Sequence, residues 1–199
     1  KSASLYEKAS AGANVYILAW TTTPWTLPSN VALAVGKKIN YLQINTFNTY
    51  TFEPISVIIA EELVGKYFKA ENAELALDSY EAGSKTIPYQ VVGEIVGADL
   101  EGCRYEQLMP YVQPENGEAF KVVIGDFVST EDGTGIVHIA PSFGADDMML
   151  AKKYGGFIFP AFPENGIFAY MKSKVSLSKD EEFVKRRTKM IARFFNLII

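Results

Sequence analysis

One cysteine and one histidine occur in 199 residues. Cys103 alone cannot close an internal disulfide, and nothing in the cysteine usage points to an oxidising compartment. His138 alone excludes a zinc site built from several His and Cys ligands. No run approaches the roughly 18 apolar residues of a membrane span. The start, Lys1 to Asn14, is polar and small, without the apolar centre of a signal peptide. It has no initiating Met, so the chain reads as a piece of something longer. The sequence also lacks a GxxxxGK[ST] phosphate loop, a GxGxxG fingerprint and a G-x-S-x-G nucleophile elbow. Asp132-Gly133-Thr134-Gly135 is faintly like the Asp-Thr-Gly of aspartic proteases, but in the wrong order. Internal repeats, low-complexity tracts and a convincing linker are missing as well.

What is present is an ordinary folded composition, 48% hydrophobic and 21% charged. At this length roughly 70% of the unfolded surface can be buried, so a core needs no covalent staple. The net charge of −4 is unevenly spread. From Tyr170 onward eight Lys/Arg stand against three Asp/Glu, +5, which leaves −9 on the body. An acidic body argues against broad nucleic-acid binding through phosphate neutralisation. It is compatible with a pocket that takes only the tip of a nucleic acid.

The body reads as strand-rich. Segments 15–20, 30–35, 41–47, 50–60, 91–96, 120–129, 135–140 and 157–162 carry β-branched and aromatic residues between Gly, Pro and Asn punctuation. Pro141 and Pro163 close the last two. Helices are expected over 61–70, where Leu63, Tyr67 and Phe68 share a face, and over 146–154. The second starts with acids and ends with Lys152 and Lys153, which suits the helix dipole. A third should begin at Ser178 with the Ser178/Glu181 capping-box spacing. The expected architecture is α+β: a compact strand-rich domain with a partly closed β-barrel core and a few peripheral helices. Residues 1–169 form that domain, 1–13 being flexible. Residues 170–199 form a basic helical tail or the start of a connection.

Two segments carry chemistry. In Trp20-Thr21-Thr22-Thr23-Pro24-Trp25-Thr26-Leu27-Pro28-Ser29-Asn30, three threonines leave a strand and meet a proline. Strand alternation sets Thr21 and Thr23 on one face and Thr22 on the other. Their hydroxyls both donate and accept, so they can hold a polar substrate or a water, or merely satisfy their own turn. The second segment runs from Asp132 to Asp147. Gly133 and Gly135 permit a tight turn, and a strand follows with Ile136, His138 and Ala140 on one face. Pro141 stops it, and Gly144 turns the chain into a helix at Asp146-Asp147. One acid can cap that helix while the other faces a pocket. A Ser142/His138/Asp147 esterase is an alternative assembly of the same stretch.

Taken together, WTTTPWTLPSN and, about a hundred residues later, GTGIVHIAPSFGADD resemble the editing domain of isoleucyl-tRNA synthetase, an insertion in a class I catalytic domain. Valyl and leucyl relatives typically carry Arg before the proline of the first motif, where this chain has Thr23. Ala98 to Gly102 with Tyr105 to Tyr111, Val122 to Thr130, and Pro163 to Phe168 resemble the same family. The match spans roughly 15–168. The synthetic signatures HIGH and KMSKS are missing.

The resemblance implies hydrolysis of valine wrongly esterified to isoleucine tRNA, with isoleucyl-tRNA spared. Rejecting a side chain smaller by one methylene yields only about 1–3 kcal/mol, a figure for which the isoleucyl enzyme is itself the standard example. A second site must therefore sort by size. By the resemblance, Asp147 binds the α-ammonium group, and Thr21, Thr22 and Thr23 position the ester, the terminal adenosine and a water. His138 lines the side-chain pocket, Trp25 forms a wall, and Asn30 ends the motif. The ester is already activated, so positioning can suffice without a covalent nucleophile. No metal or cofactor is implied for editing; ATP and Mg belong to the parent synthetase. The implied partners are the 3′ end of aminoacylated tRNA(Ile) and the rest of the parent, in a cytoplasmic setting without a membrane. A degenerate module that only binds the aminoacylated end is the alternative from another class.

Overall fold

The structure, a computed structural model, describes residues 2–109 and 118–155, apart from the side chains of Ser2 and Trp25. The strand expected over 157–162, the stretch resembling a hairpin at 163–168, and the basic tail with its helix from Ser178 lie outside the described residues.

Seven short strands build two sheets. The first has the order β1 (Asn14–Ile17), β4 (Pro54–Ala60), β3 (Asn40–Phe47), β5 (Gln90–Val96). β1 runs parallel to β4, and the other pairs are antiparallel. The second has β2 (Ala32–Val35) in the centre, parallel to β6 (Lys121–Ile124) and antiparallel to β7 (Ile136–Ile139). All four residues of β2 are buried, because its two faces serve different cores. Leu33 and Val35, with Val122, Ile124 and Ile136, join Ile44, Val57 and Ile59 of the first sheet in one apolar cluster. Ala32, Ala34, Val123 and Ile139 face the other way, against Leu150 and Ala151. Those two residues belong to α4 (Ala145–Lys153). The second sheet is thus the middle layer between the first sheet and α4, and burial on both sides explains its continuous apolar strands.

The α+β class holds, but the barrel does not close among the described residues. The sheets join at one corner instead. Trp20 forms an isolated parallel bridge with Val137, and the Ala60 N–H donates to the Thr134 carbonyl at 3.0 Å.

Element ends differ from expectation for local reasons. The segment beginning at Tyr50 is a turn before it is a strand. The Asn48 side-chain oxygen accepts from the N–H groups of Tyr50 and Thr51, and β4 begins only at Pro54. The helix expected over 61–70 breaks into a 3₁₀ turn, Glu61–Leu63, and a short α2, Val64–Tyr67. Gly65 weakens its centre, and Phe68 turns extended. The first residues, expected to be flexible, form α1 (Ser2–Glu7), with Leu5 buried in the main core. A further short helix, α3 (Gly97–Leu100), had no periodic signal in the sequence.

Candidate functional site

The turn before β7 is the first part of the site. Gly133 and Gly135 sit at φ of 70° and 72°, a region that side chains other than glycine's rarely adopt. Gly135 has a second reason to lack a side chain: a Cβ there would run into that of Ala60. The Gly135 carbonyl accepts from the buried Tyr41 hydroxyl at 2.7 Å. Tyr67 of α2 donates to the Gly133 carbonyl at 3.0 Å. The turn is therefore held from the core and from the rim, and it delivers β7 in one register, with His138 opposite Leu33.

The threonine segment arrives by a different route. β1 ends at Ile17, and after the Trp20–Val137 bridge residues 21–23 have no regular structure. Strand alternation thus does not govern them. The Thr21 and Thr23 hydroxyls lie 3.4 Å apart, and the Thr23 N–H donates to Thr21 Oγ1 at 3.0 Å. Pro24–Ser29 is a 3₁₀ turn with prolines at its start and inside. It brings Thr26 back under Thr23. Thr26 Oγ1 donates to the Thr23 carbonyl at 2.8 Å and lies 3.1 Å from His138 Nε2.

The third part is the start of α4. Neither acid caps it, contrary to expectation: the N-cap is Gly144, without a side-chain cap bond. Asp146 is exposed. Asp147 reaches back instead, and its Oδ2 accepts from the Ala140 N–H at 2.8 Å. The carboxylate lies against Gly144, where a Cβ would stand 3.1 Å from Asp147 Cγ. Partial burial raises the Asp147 pKa above the ordinary carboxylate value. The Ala140 hydrogen bond opposes that shift, and the neighbouring Asp146 charge adds to it.

These parts converge on one cavity of about 380 Å³, lined by Thr21, Thr22, Thr23, His138 and Asp147. Trp20, Phe127 and Phe143 supply aromatic surface to it. Asn30 is not in the lining. It is buried, its amide donating to the Ala32 carbonyl and its oxygen accepting from the Tyr105 hydroxyl at 2.6 Å. The side chain of Trp25 lies outside what the structure describes. Ser142 is exposed and also outside the lining, and His138 Nε2 faces Thr26, so no serine triad is assembled. Two participants escaped the sequence reading. Thr26 sits inside the first motif, three residues after Thr23, and that spacing on a tight turn was its only signal. Phe127 had none. A larger cavity, about 450 Å³, lies between α1, β1 and residues 103–106, and none of Thr21, Thr22, Thr23, His138 and Asp147 lines it.

His138 is 7% exposed, and burial lowers its pKa from 6.5 to about 4. The imidazole is therefore neutral at pH 7. Between pH 6.5 and about 4 the unfolded chain binds a proton that the folded chain refuses. The stability linked to His138 is full above pH 6.5 and is lost as pH falls toward 4. An NMR titration of the chain's one imidazole is expected to show no protonation of the folded state above about pH 5. A midpoint near 6.5 would contradict the burial.

No protein-family profile matches the chain. Curated relatives do. It is 61% identical over 142 residues to the isoleucine–tRNA ligase of Cytophaga hutchinsonii, covering 71% of this chain. Against the isoleucine–tRNA ligase of Bacteroides fragilis it is 49% identical over 182 residues, 86% of this chain. The chain belongs to the isoleucyl-tRNA synthetase family. It spans 13% and 15% of the length of those two relatives. Its fold is that of synthetase editing domains. The crystal structure of GlLeuRS-CP1 superposes with a TM-score of 0.52 at 22% identity, over 77% of this chain and 54% of that one. The editing domain of P. falciparum cytosolic leucyl-tRNA synthetase gives 0.50 at 16% identity, over 90% and 66%. The cavity formed by the two motifs is the candidate functional site. No helix among the described residues is long and apolar enough to cross a membrane.

Proposed function

We propose that the chain hydrolyses the ester of valine mischarged onto tRNA(Ile) and spares isoleucyl-tRNA(Ile). The observation that carries this reading is the convergence of Thr21, Thr22, Thr23, His138 and Asp147, from three separate segments, on one cavity. The parent enzyme, in a cytoplasmic setting, would join isoleucine to the same tRNA with ATP and Mg.

The chemistry follows from the residues. An aminoacyl ester presents a positive α-ammonium group. Of the two acids that line the cavity, Asp132 is exposed and paired with Lys66, and the half-buried Asp147 is the one suited to receive it. Bringing ammonium and acid together in a partly desolvated site favours the carboxylate form. The ion pair fixes the carbonyl relative to the threonine hydroxyls, which hold a water for attack on it. His138 closes the end where the amino-acid side chain lies. Valine fits; isoleucine, one methylene longer, meets a buried ring. The neutral imidazole is a poor base at pH 7, so a packing role suits it better than proton abstraction. The terminal adenosine would stack on aromatic surface at the cavity mouth, where Phe127 is 42% exposed.

The direct test is hydrolysis of valyl-tRNA(Ile) and isoleucyl-tRNA(Ile) by the chain against a control without protein. Loss of the valyl ester alone supports the reading. Binding without hydrolysis would identify a degenerate end-binding module. Replacing Thr21, Thr22 and Thr23 together by Ala is expected to reduce hydrolysis by about 10²-fold or more. That is the scale of removing a polar group that stabilises the transition state. Each single replacement should do less, because a neighbouring hydroxyl or a water can take over its hydrogen bond. A triple variant that edits normally would reduce the cluster to a chain segment satisfying its own turn.

A further inference from the structure

We infer that Thr26 is a positioning residue for the side-chain filter: it holds the His138 imidazole as the Nε2–H tautomer, its plane fixed, with the Nδ1 lone pair as the ring's remaining polar feature. The filter itself rests on the function proposed above.

The tautomer follows from counting protons along a row of hydroxyls. The Thr23 carbonyl has lone pairs only; one accepts from the Thr26 N–H at 3.0 Å, and Thr26 Oγ1 lies 2.8 Å from the same oxygen. The Thr26 hydroxyl has one hydrogen, which goes there. Towards His138 Nε2, at 3.1 Å, the same oxygen can then only accept. With the Thr26 hydrogen so placed, the hydrogen of this contact is the one on Nε2. The third neighbour of Thr26 Oγ1 is Thr23 Oγ1, at 3.3 Å, with Thr21 Oγ1 a further 3.4 Å along. Neither needs the Thr26 hydrogen. In a neutral imidazole with Nε2 protonated, Nδ1 is an acceptor. Nδ1 is buried and finds no hydrogen-bond partner among the described residues. The opposite tautomer would set the Nε2 lone pair against a hydroxyl already committed elsewhere. It would also bury an unpartnered N–H.

The consequence is mechanical. Rotation about the bond joining Cβ to an imidazole is soft, with broad two-fold minima. A wall that tells valine from isoleucine must not swing. The hydrogen bond to Thr26 selects one ring orientation, and Thr26 is itself tied to Thr23 on the 3₁₀ turn, where side chains three apart eclipse. Ester-handling threonines and side-chain wall are thus one hydrogen-bonded unit, built largely from a single sequence motif.

Because the chain has one histidine, ¹⁵N-histidine labelling gives one imidazole and reads the tautomer without any assay of activity. Wild type is expected to show a protonated Nε2 and an unprotonated Nδ1. Thr26→Val, close in shape but without the hydroxyl, is expected to give a mixture of tautomers. It should also raise the ratio of isoleucyl to valyl ester hydrolysis about tenfold, the effect of relaxing an overpacked contact. Thr26→Ser should restore both. A wild type with Nδ1 protonated overturns the inference, as does an unchanged tautomer in Thr26→Val. If Thr26→Val does not fold, wild type and Thr26→Ser still decide, since both must show Nε2–H. Absence of hydrolysis by wild type on either ester would remove the editing function and leave the tautomer result standing.

Discussion

Replacing Asp147 by Asn is expected to give a folded chain that hydrolyses the valyl ester about 10²-fold more slowly, the scale of unpairing one member of a partly desolvated ion pair. Asparagine is the informative substitution because Asp147 has two tasks. Its Oδ2 accepts from the Ala140 N–H, and Ala140 is buried. Alanine would strand that N–H at a cost of about 1–3 kcal/mol, mixing a stability loss with a chemical one. An asparagine oxygen keeps the acceptor and removes only the charge. Denaturant midpoints of wild type and Asp147→Asn should therefore lie close together while their rates diverge. Asp146→Ala is the control. Asp146 is exposed and caps nothing, so beyond its helix-dipole contribution, about 1 kcal/mol or less, neither stability nor rate should move. Near-wild-type hydrolysis by a folded Asp147→Asn would show that this carboxylate does not anchor the substrate.

Replacing His138 by Ala is expected to turn the chain against the correct product. The ring is buried on the wall of the cavity, and isoleucine exceeds valine by one methylene. Forcing an extra methylene into a packed site costs about 1–3 kcal/mol. Removing the ring should abolish that cost, so isoleucyl-tRNA(Ile) becomes a substrate at a rate within a few fold of the valyl ester. If His138 were a general base, both rates would fall together, and the wild-type rate would drop on acidification through the base's own pKa. With that pKa at about 4, the wild-type rate should be insensitive to histidine protonation between pH 5 and 8. The decisive measurement is hydrolysis of both esters by wild type and His138→Ala across that range. Equal loss on both esters would assign His138 the wrong role here.

The family was legible in the order of residues alone, and so were five of the residues that line the candidate cavity. WTTTPWTLPSN and GTGIVHIAPSFGADD are dense in types that local chemistry constrains: prolines that end strands, glycines that permit positive φ, hydroxyls and acids that need partners. The glycines at 133 and 135 form the tight turn that glycine permits, both at positive φ. α4 forms within one residue of its expected bounds, because acids at its start and lysines at its end act over a single turn.

What tertiary structure decided concerns partners distant along the chain. Local chemistry left Asp146 and Asp147 open as cap and pocket acid, and only the resemblance singled out Asp147. The approach of Ala140 to the start of α4 separates them physically, by giving Asp147 an N–H to bind. Asn30 belongs to the motif, yet Tyr105, 75 residues away, takes its oxygen into the scaffold and away from the cavity. Thr26 and His138 lie 112 residues apart, and no periodicity links them. How the strands of the described residues divide between two sheets also escaped the sequence. Strand patterning records which face is buried and not which neighbour buries it. Local preference chose the residues that can turn, donate and accept, and packing of β7 against β2 and Trp20 chose which of them meet.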